Sequence, residues 1–186
     1  MARQRATEER PEGLVYVPRL LSEDEERDLL ERIEQIAFGE IRMHGVVARR
    51  TAKHFGLDYD YERRKPVAAA EPIPEWILPV RAAGAALTGL EPERLVEVLV
   101  QRYPEGAQIG WHRDAATFGT VVGVSLLGLS RLLFRRGPPG ERHAFELELA
   151  PRSGYVLAGP ARLSWQHHIP PTKNLRYSIT FRTLRP

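Results

Sequence analysis

The amino-acid sequence predicts an α+β domain in which helices come first and a run of short β-strands follows. Apolar residues recur at helical spacing early in the chain, and an alanine-rich apolar segment follows at residues 76–88. From Leu95 onward, short apolar runs alternate with glycine and proline turns, as in a sheet of many strands. The 186 residues are enough to bury the core of one domain, which we place at residues 13–186.

The composition excludes several classes of protein. The sequence has no cysteine, which excludes disulfides, zinc–thiolate sites, iron–sulfur clusters and cysteine nucleophiles. No apolar run approaches the roughly 18–20 residues of a membrane span, and the charged N-terminus lacks the apolar segment of a secretory signal. We therefore expect a cytoplasmic protein with no membrane partner. A net charge of +3 favours a polyanionic partner only weakly.

The N-terminal part of the sequence predicts an arm, a strand and a capped helix. Residues 1–12 are polar and charged, which predicts a flexible arm, and residues 14–17 are typical of a short strand. Ser22, followed three residues later by Glu25, forms the pattern of a capping box at a helix N-terminus. The apolar residues that follow recur at helical spacing and predict a buried helix face: Leu29, Leu30, Ile33 and Ile36.

The remaining elements are mostly strands. Residues 41–61 show no clear period, which predicts strands and loops with exposed aromatic side chains. A connector rich in proline and alanine at residues 66–74 leads to a second helix at 76–88. Strands are then predicted at residues 95–103, 121–127, 132–134, 145–149, 154–157 and 177–181. Such a series indicates a β-sandwich or barrel covered by the helices.

His112 and Asp114 give the first indication of chemistry. Side chains two residues apart in an extended segment point to the same side, so this imidazole and carboxylate would face one point. Two histidines and one carboxylate form the triad of non-haem Fe(II) oxygenases, which leaves coordination positions open for oxygen and a co-substrate. A His-x-Asp pair also occurs by chance, so it does not predict a metal site alone. The segment Trp165–Ile169 supplies a further histidine downstream.

The segment from Arg176 to Arg182 gives the second indication. Read as a strand, it alternates apolar residues with four polar ones, which share one face: Arg176, Ser178, Thr180 and Arg182. Two arginines on the inward face of a core strand are costly to bury without anionic partners. A guanidinium suits the carboxylates of 2-oxoglutarate. An exposed edge strand with surface arginines is the alternative, and the metal-binding pattern upstream favours the first interpretation.

Three motifs in this order resemble those of the AlkB-type 2-oxoglutarate/Fe(II) dioxygenases. They are His112-Arg-Asp114, Trp165-Gln-His167-His-Ile169 and Arg176-Tyr-Ser-Ile-Thr-Phe-Arg182. The resemblance runs from Gln101 to the C-terminus and has a weaker counterpart in residues 49–56. It implies a double-stranded β-helix, or jelly roll, at about residues 95–186, with the N-terminal helices buttressing one sheet.

The resemblance implies a catalytic iron centre whose ligands are His112, Asp114 and His167. Of the two adjacent histidines, His167 matches the ligand position, which is second after the aromatic residue and second before the isoleucine. His168 would then be a neighbour of the site. Arg162 is a candidate for a group that supports the ligands from behind.

The resemblance also implies a site for the co-substrate 2-oxoglutarate. Arg176 would bind its distal carboxylate, and Arg182 would lie at its iron-proximal end. Tyr103 matches a tyrosine that hydrogen-bonds the co-substrate in this family. Gln101 takes the place of a polar residue that is often asparagine there.

The implied reaction oxidises a C–H bond with O₂ while 2-oxoglutarate becomes succinate and CO₂, and an N-methyl carbon leaves as formaldehyde. We therefore expect oxidative demethylation of N-alkylated bases in DNA or RNA, in damage repair or RNA modification. Residues 40–66 would form a lid over the nucleotide. Its aromatic residues would stack on a base and its arginines would contact phosphate: Phe55, Tyr59, Tyr61, Arg63 and Arg64. These aromatic residues equally suit a core or an edge strand.

The substrate is the most open part of this interpretation. The DNA-repair branch has an acidic residue two positions after the ligand aspartate, where this sequence has Ala116. A dioxygenase of the same fold acting on a protein side chain is therefore an alternative. A non-catalytic nucleic-acid-binding module is disfavoured because the three ligands and both arginines are all present. A cupin-like metal hydrolase or isomerase would have no use for Arg176 and Arg182.

Overall fold

The computed structural model describes residues 7–43, 46–60, 65–69 and 71–185. The helices are α1 (Glu23–Ile33), α2 (Leu78–Ala86) and α3 (Gly159–Leu163), with 3₁₀ turns at Glu75–Ile77 and Pro92–Arg94. The strands are β1 (Thr7–Glu8), β2 (Leu14–Val17), β3 (Gly39–Met43), β4 (Val46–Asp60), β5 (Lys65–Ala68), β6 (Glu97–Tyr103), β7 (Ile109–His112), β8 (Phe118–Leu126), β9 (Ser130–Arg136), β10 (His143–Leu149), β11 (Gly154–Leu157), β12 (Gln166–Ile169) and β13 (Arg176–Leu184). None of the helices in these ranges has the length and apolar character needed to cross a membrane.

The strands form two sheets. The smaller sheet has the order β1-β10-β9-β12-β7, and the larger has the order β2-β11-β8-β13-β6-β4-β3 with β5 paired to β4. Adjacent strands are antiparallel except β1 and β10, which are parallel. This arrangement confirms the predicted α+β class and the jelly roll buttressed by N-terminal helices. The sheets do not close into a barrel.

The capping box predicted for the first helix is confirmed. Ser22 Oγ accepts a hydrogen bond from the Glu25 backbone N–H at 3.2 Å, and Glu25 Oε2 accepts one from the Ser22 backbone N–H at 2.8 Å. These two bonds satisfy backbone donors that have no partner within the helix. They fix the start of α1, whose apolar face packs on the larger sheet.

Two hydrophobic cores place the larger sheet in the middle of the molecule. One core joins α1 and α2 to the outer face of this sheet, with Ile33 and Val80 packed among residues such as Val98 and Ile179. The second core lies between the sheets and contains Tyr103, Phe134 and Trp165 among others. The space between the sheets therefore has the smaller sheet on one side and the larger sheet, backed by the helices, on the other. A site in this space is shielded from solvent by both sheets.

The N-terminal segment differs from the predicted arm. Thr7 and Glu8 pair with β10, and the Glu9 carboxylate contacts Arg136 and lies 2.7 Å from His143 Nδ1. Opposite charges and the open edge of the smaller sheet hold residues 7–12 in place, which polarity alone does not predict. Residues 1–6 lie outside the described part of the chain. Within the segment 41–61, which shows no clear period, the described residues 41–43 and 46–60 belong to β3 and β4, which extend the larger sheet.

Candidate active site

The three predicted metal ligands meet between the sheets. His112 on β7 and His167 on β12 are directly opposite each other in the strand register, and their ring centroids are 4.2 Å apart. Asp114 lies two residues beyond His112 and places Oδ2 3.8 Å from His167 Nε2. One ligand atom from each residue lies within 4.8 Å of the others. This set of two imidazoles and one carboxylate could hold a divalent metal ion.

The protonation states of the cluster suit a metal ion. Burial lowers the pKa of His167 to about 3, although the Asp114 carboxylate opposes this shift. Burial likewise lowers the pKa of His112, so both imidazoles are neutral near pH 7. His112 Nδ1 lies 2.8 Å from the Gly110 carbonyl oxygen. When Nδ1–H donates a hydrogen bond to this oxygen, the lone pair of Nε2 is free to bind a metal ion. Burial is the largest single influence and opposes ionisation of Asp114, but the surrounding positive groups, Arg182 first, together outweigh it and lower the pKa.

Arg182 joins the carboxylate of Asp114 to a second buried carboxylate. Its Nη2 donates to Asp114 Oδ1 at 3.0 Å, and its Nη1 donates to Glu97 Oε2 at 2.7 Å. Burial opposes the charge on Arg182, yet Glu97 first and Asp114 second raise its pKa. Arg182 is therefore a permanent cation that contacts the metal cluster directly.

Arg162 supports the cluster through the backbone. Its Nη2 donates to the carbonyl oxygens of Asp114, Ala115 and Phe118 at 3.2, 2.6 and 2.8 Å. The side chain comes from α3 and is almost fully buried. It thus fixes the turn that follows Asp114, and its support of the cluster remains a prediction.

Arg176 is a buried cation with free donors. It has no exposed surface, and its Nε donates to Ser125 Oγ at 2.9 Å. Within the described residues, its Nη1 and Nη2 have no hydrogen-bond partner. The guanidinium lies 5.0 Å from the ring centroid of Tyr103, whose hydroxyl donates to Gln101 Oε1 at 3.1 Å. An anion with two oxygens would satisfy Arg176, as the distal carboxylate of 2-oxoglutarate could.

The metal cluster and the pair Tyr103–Gln101 line one cavity of about 830 Å³. β4 contributes a wall of this cavity through alternate residues, which are Arg50, Ala52 and His54. Arg50 is only 7% exposed, and its Nε has no partner within the described residues. His54 Nδ1 lies 3.2 Å from Glu97 Oε1. The cavity therefore has a polar, basic wall facing the metal cluster.

Tyr155 lines the same cavity and depends on Gly123. A Cβ atom on Gly123 would lie 2.2 Å from Tyr155 Cζ and 2.4 Å from its hydroxyl oxygen, so the ring fits only against glycine. Burial raises the pKa of Tyr155 to about 12, and the charge of Arg176 offsets this only in part. The phenol thus remains a hydrogen-bond donor inside the cavity.

Residues of this site that were missed from sequence include Arg50, His54, Glu97 and Tyr155. Arg50 and His54 alternate along β4, but the surrounding arginines and aromatic residues hide that period. Glu97 carried a weak signal, because it is an acidic residue inside an otherwise apolar strand. No local pattern marks Tyr155, since its position depends on the glycine of a neighbouring strand.

The predicted substrate residues are only partly accounted for. The prediction that Phe55 stacks on a base is wrong. Its side chain is 4% exposed and packs in the core beneath the helices, so it offers no ring face to a base. Its odd position on β4 turns it away from Arg50 and His54. The side chain of Tyr59, and the whole of Tyr61, Arg63 and Arg64, lie outside the described residues. His168 is separate from the metal cluster, with Nδ1 2.6 Å from the Ile109 carbonyl oxygen and its ring beside Trp111.

Similar proteins include two that share the AlkB homologue name. The chain is 28% identical over 171 residues to the Mus musculus tRNA (carboxymethyluridine(34)-5-O)-methyltransferase ALKBH8. It is 25% identical over 187 residues to the Arabidopsis thaliana alkylated DNA repair protein ALKBH8 homolog. The matches cover 88% and 85% of this chain, but 25% and 51% of those proteins. The chain thus spans about a quarter and about half of their lengths.

Solved structures show the same fold. The structure of OsALKBH1 superposes with a TM-score of 0.75 at 20% identity, covering 94% of this chain and 97% of that one. A 2OG-Fe(II) oxygenase family oxidoreductase from Burkholderia pseudomallei gives 0.62 at 14% identity, covering 98% and 97%. The sequence profile of the 2OG-Fe(II) oxygenase superfamily matches residues 13–182. The chain therefore belongs to this superfamily, as an AlkB-type oxygenase that uses Fe(II), 2-oxoglutarate and O₂.

Proposed function

We propose that this oxygenase demethylates N-alkylated bases of DNA or RNA, with the cavity between its sheets as the active site. The main support for a 2-oxoglutarate site is the environment of Arg176. Its guanidinium is fully buried beside Tyr103, and two of its nitrogens have no partner within the described residues. The metal-ligating cluster opens onto the same cavity as Tyr103. The cavity therefore joins the metal cluster to Tyr103, and the Arg176 guanidinium lies beside the ring of that tyrosine.

Each residue has a role in this proposal. His112, Asp114 and His167 hold Fe(II), and Arg176 with Tyr103 and Gln101 holds the distal carboxylate of 2-oxoglutarate. Arg182 lies at the iron-proximal end. When Fe(II) and 2-oxoglutarate are bound, the available chemistry is oxidation of an N–CH₃ group by O₂, giving N–H, formaldehyde, succinate and CO₂.

The basic wall of the cavity supports a nucleic-acid substrate. Arg42 and Arg50 line it together with His54, and guanidinium donors suit both phosphate oxygens and base acceptors. Arg50 keeps a buried Nε without a partner among the described residues. Two relatives carry names that refer to tRNA and to alkylated DNA. These features together favour a base as the group that enters the cavity.

A protein side chain is the second candidate substrate. Burial of Phe55 removes one of the aromatic residues predicted to stack on a base, and Ala116 stands where the repair branch has an acid. A dioxygenase of the same fold that hydroxylates or demethylates a protein would need neither feature.

The test is a turnover assay on a panel of oligonucleotides, each with one methylated base. The protein is loaded with Fe(II) and 2-oxoglutarate without oxygen, then exposed to O₂, and succinate and formaldehyde are measured together. Formaldehyde that follows one base supports the proposal. Succinate without formaldehyde on every oligonucleotide contradicts base demethylation and favours the protein substrate.

A matched pair of variants tests the basic wall. Arg50→Gln should weaken oligonucleotide binding, because it removes a guanidinium that faces the cavity. Lys53→Gln removes a cation from the opposite face of β4, where Lys53 pairs with Glu71, and should leave binding unchanged. Equal losses for the two variants would contradict a specific role for Arg50.

A further inference from the structure

Glu97 is a buried acid that the metal cluster does not contain. It is 1% exposed at the start of β6, and its register partner on β13 is Arg182. Its Oε2 accepts from Arg182 Nη1 at 2.7 Å, and its Oε1 lies 3.2 Å from His54 Nδ1. The strand ladder and two charged or polar neighbours therefore hold the carboxylate in one orientation.

Arg182 transmits this orientation to Asp114. A guanidinium is planar, so fixing Nη1 on Glu97 also fixes the direction in which Nη2 donates. That donation reaches Asp114 Oδ1 at 3.0 Å. The other oxygen of the carboxylate, Oδ2, is the one that lies 3.8 Å from His167 Nε2. The geometry thus assigns Oδ1 to the arginine and Oδ2 to the metal side.

Glu97 and Asp114 both form an ion pair with Arg182. Two carboxylates face this one guanidinium, so Asp114 supplies only one of its hydrogen bonds. Without the Glu97 charge, Asp114 would be the nearest anion left to Arg182. Arg182 could then turn both Nη groups to Asp114, as bidentate pairs commonly do. The guanidinium would compete with a metal ion for Oδ2.

We propose that Glu97 is a positioning residue, which holds Arg182 on Asp114 Oδ1 and thereby keeps Oδ2 for the metal. The inference rests on the proposed function, since it takes Asp114 as an iron ligand. Groups that orient metal ligands in this way typically change metal affinity about 10–100-fold when they are removed.

The experiment is a titration of metal-free protein with Mn²⁺ alone, followed by the electron paramagnetic resonance signal of the free ion. Mn²⁺ substitutes for Fe(II) without oxidation, and omitting 2-oxoglutarate excludes any effect of Arg182 on that ligand. Glu97→Gln keeps the shape of the side chain and removes its charge. We expect the Kd for Mn²⁺ to rise about 10–100-fold. Glu105→Gln, at an exposed glutamate after β6, is the control and should bind as the wild type does.

The outcomes separate this inference from the proposed function. A Glu97→Gln protein that is less stable to heat but binds Mn²⁺ like the wild type has lost only a structural ion pair, which overturns the inference. A wild type that binds no Mn²⁺ overturns the proposed function and the inference with it. If Glu97→Gln does not fold, Glu97→Asp keeps the charge on a shorter side chain. An intermediate Kd for Glu97→Asp supports the inference, and a wild-type Kd overturns it.

Discussion

Arg162 Nη2 donates to the carbonyl oxygen of Ala115 at 2.6 Å, across 47 residues of sequence. The same nitrogen donates to the carbonyl oxygens of Asp114 and Phe118. One side chain from α3 thus holds the whole turn that follows Asp114. The position of Asp114 therefore depends on this turn as well as on β7, which ends two residues before it.

Replacement of Arg162 should therefore affect both stability and metal affinity. Arg162→Met keeps the length of the side chain but leaves three carbonyl oxygens without their donor, so the free energy of unfolding should fall by about 1–3 kcal/mol. The Kd for Mn²⁺ should rise, because the turn no longer holds Asp114. Urea denaturation and metal titration measure the two effects. Arg131→Met, at an exposed ion pair with Glu146, should change neither, and equal behaviour of both variants would contradict the role of Arg162.

The adjacent histidines on β12 should differ sharply in their effect on metal binding. His167 belongs to the cluster, whereas His168 lies between the Ile109 carbonyl and Trp111. His167→Ala should abolish stoichiometric binding of Fe(II), and His168→Ala should retain it. Metal content after anaerobic loading and gel filtration decides between them. Loss of iron in the His168 variant with retention in the His167 variant would mean that the ligand had been assigned to the wrong histidine.

The ordered motifs and strand periodicity predicted the centre of the site. His112 and Asp114 were expected to face one point because they are two residues apart, and they do. The alternation along β13 was also confirmed, since Tyr177, Ile179 and Phe181 pack beneath the helices while Thr180 and Arg182 line the cavity. The alternative of an exposed edge strand is wrong, because β13 lies between β8 and β6.

Features that depend on pairing between distant strands could not be read from sequence. Glu97 meets Arg182 only because β6 and β13 are neighbours in this register. Phe55 follows an apparently polar segment, but side chains alternate along β4, and its odd-numbered position directs the ring into the core. The parallel pairing of Thr7 and Glu8 likewise needs the edge of β10. Local propensity has no information about such partners.

Replacement of Arg176 should preserve or raise the stability of the ligand-free protein but weaken its binding of 2-oxoglutarate. Arg176→Met removes a buried charge with unpartnered nitrogens, so the ligand-free protein should be as stable as the wild type or more stable. Binding of 2-oxoglutarate to the Mn²⁺-loaded protein should weaken by about 2–5 kcal/mol, because a buried charged partner is lost. Calorimetric titration and thermal unfolding measure the two effects. The outcome that contradicts this role is an unchanged affinity for 2-oxoglutarate in a folded variant.

Gly123 should be intolerant of even one added carbon, because Tyr155 occupies the space of its Cβ. Gly123→Ala should lower the free energy of unfolding by about 1–3 kcal/mol through overpacking and should displace the Tyr155 ring within the cavity. Gly39→Ala is the control, since its Cβ would lie 3.7 Å from the Ala52 carbonyl oxygen, an ordinary contact.

A double-mutant cycle separates the clash with Tyr155 from any general effect of alanine on β8. Tyr155→Leu removes the ring, so Gly123→Ala should destabilise that background much less than it destabilises the wild type. Urea denaturation of the four proteins gives the interaction free energy. Additive losses would show that the ring does not limit residue 123, whereas a double-variant loss well below the sum of the single losses would confirm that glycine is required there to admit Tyr155.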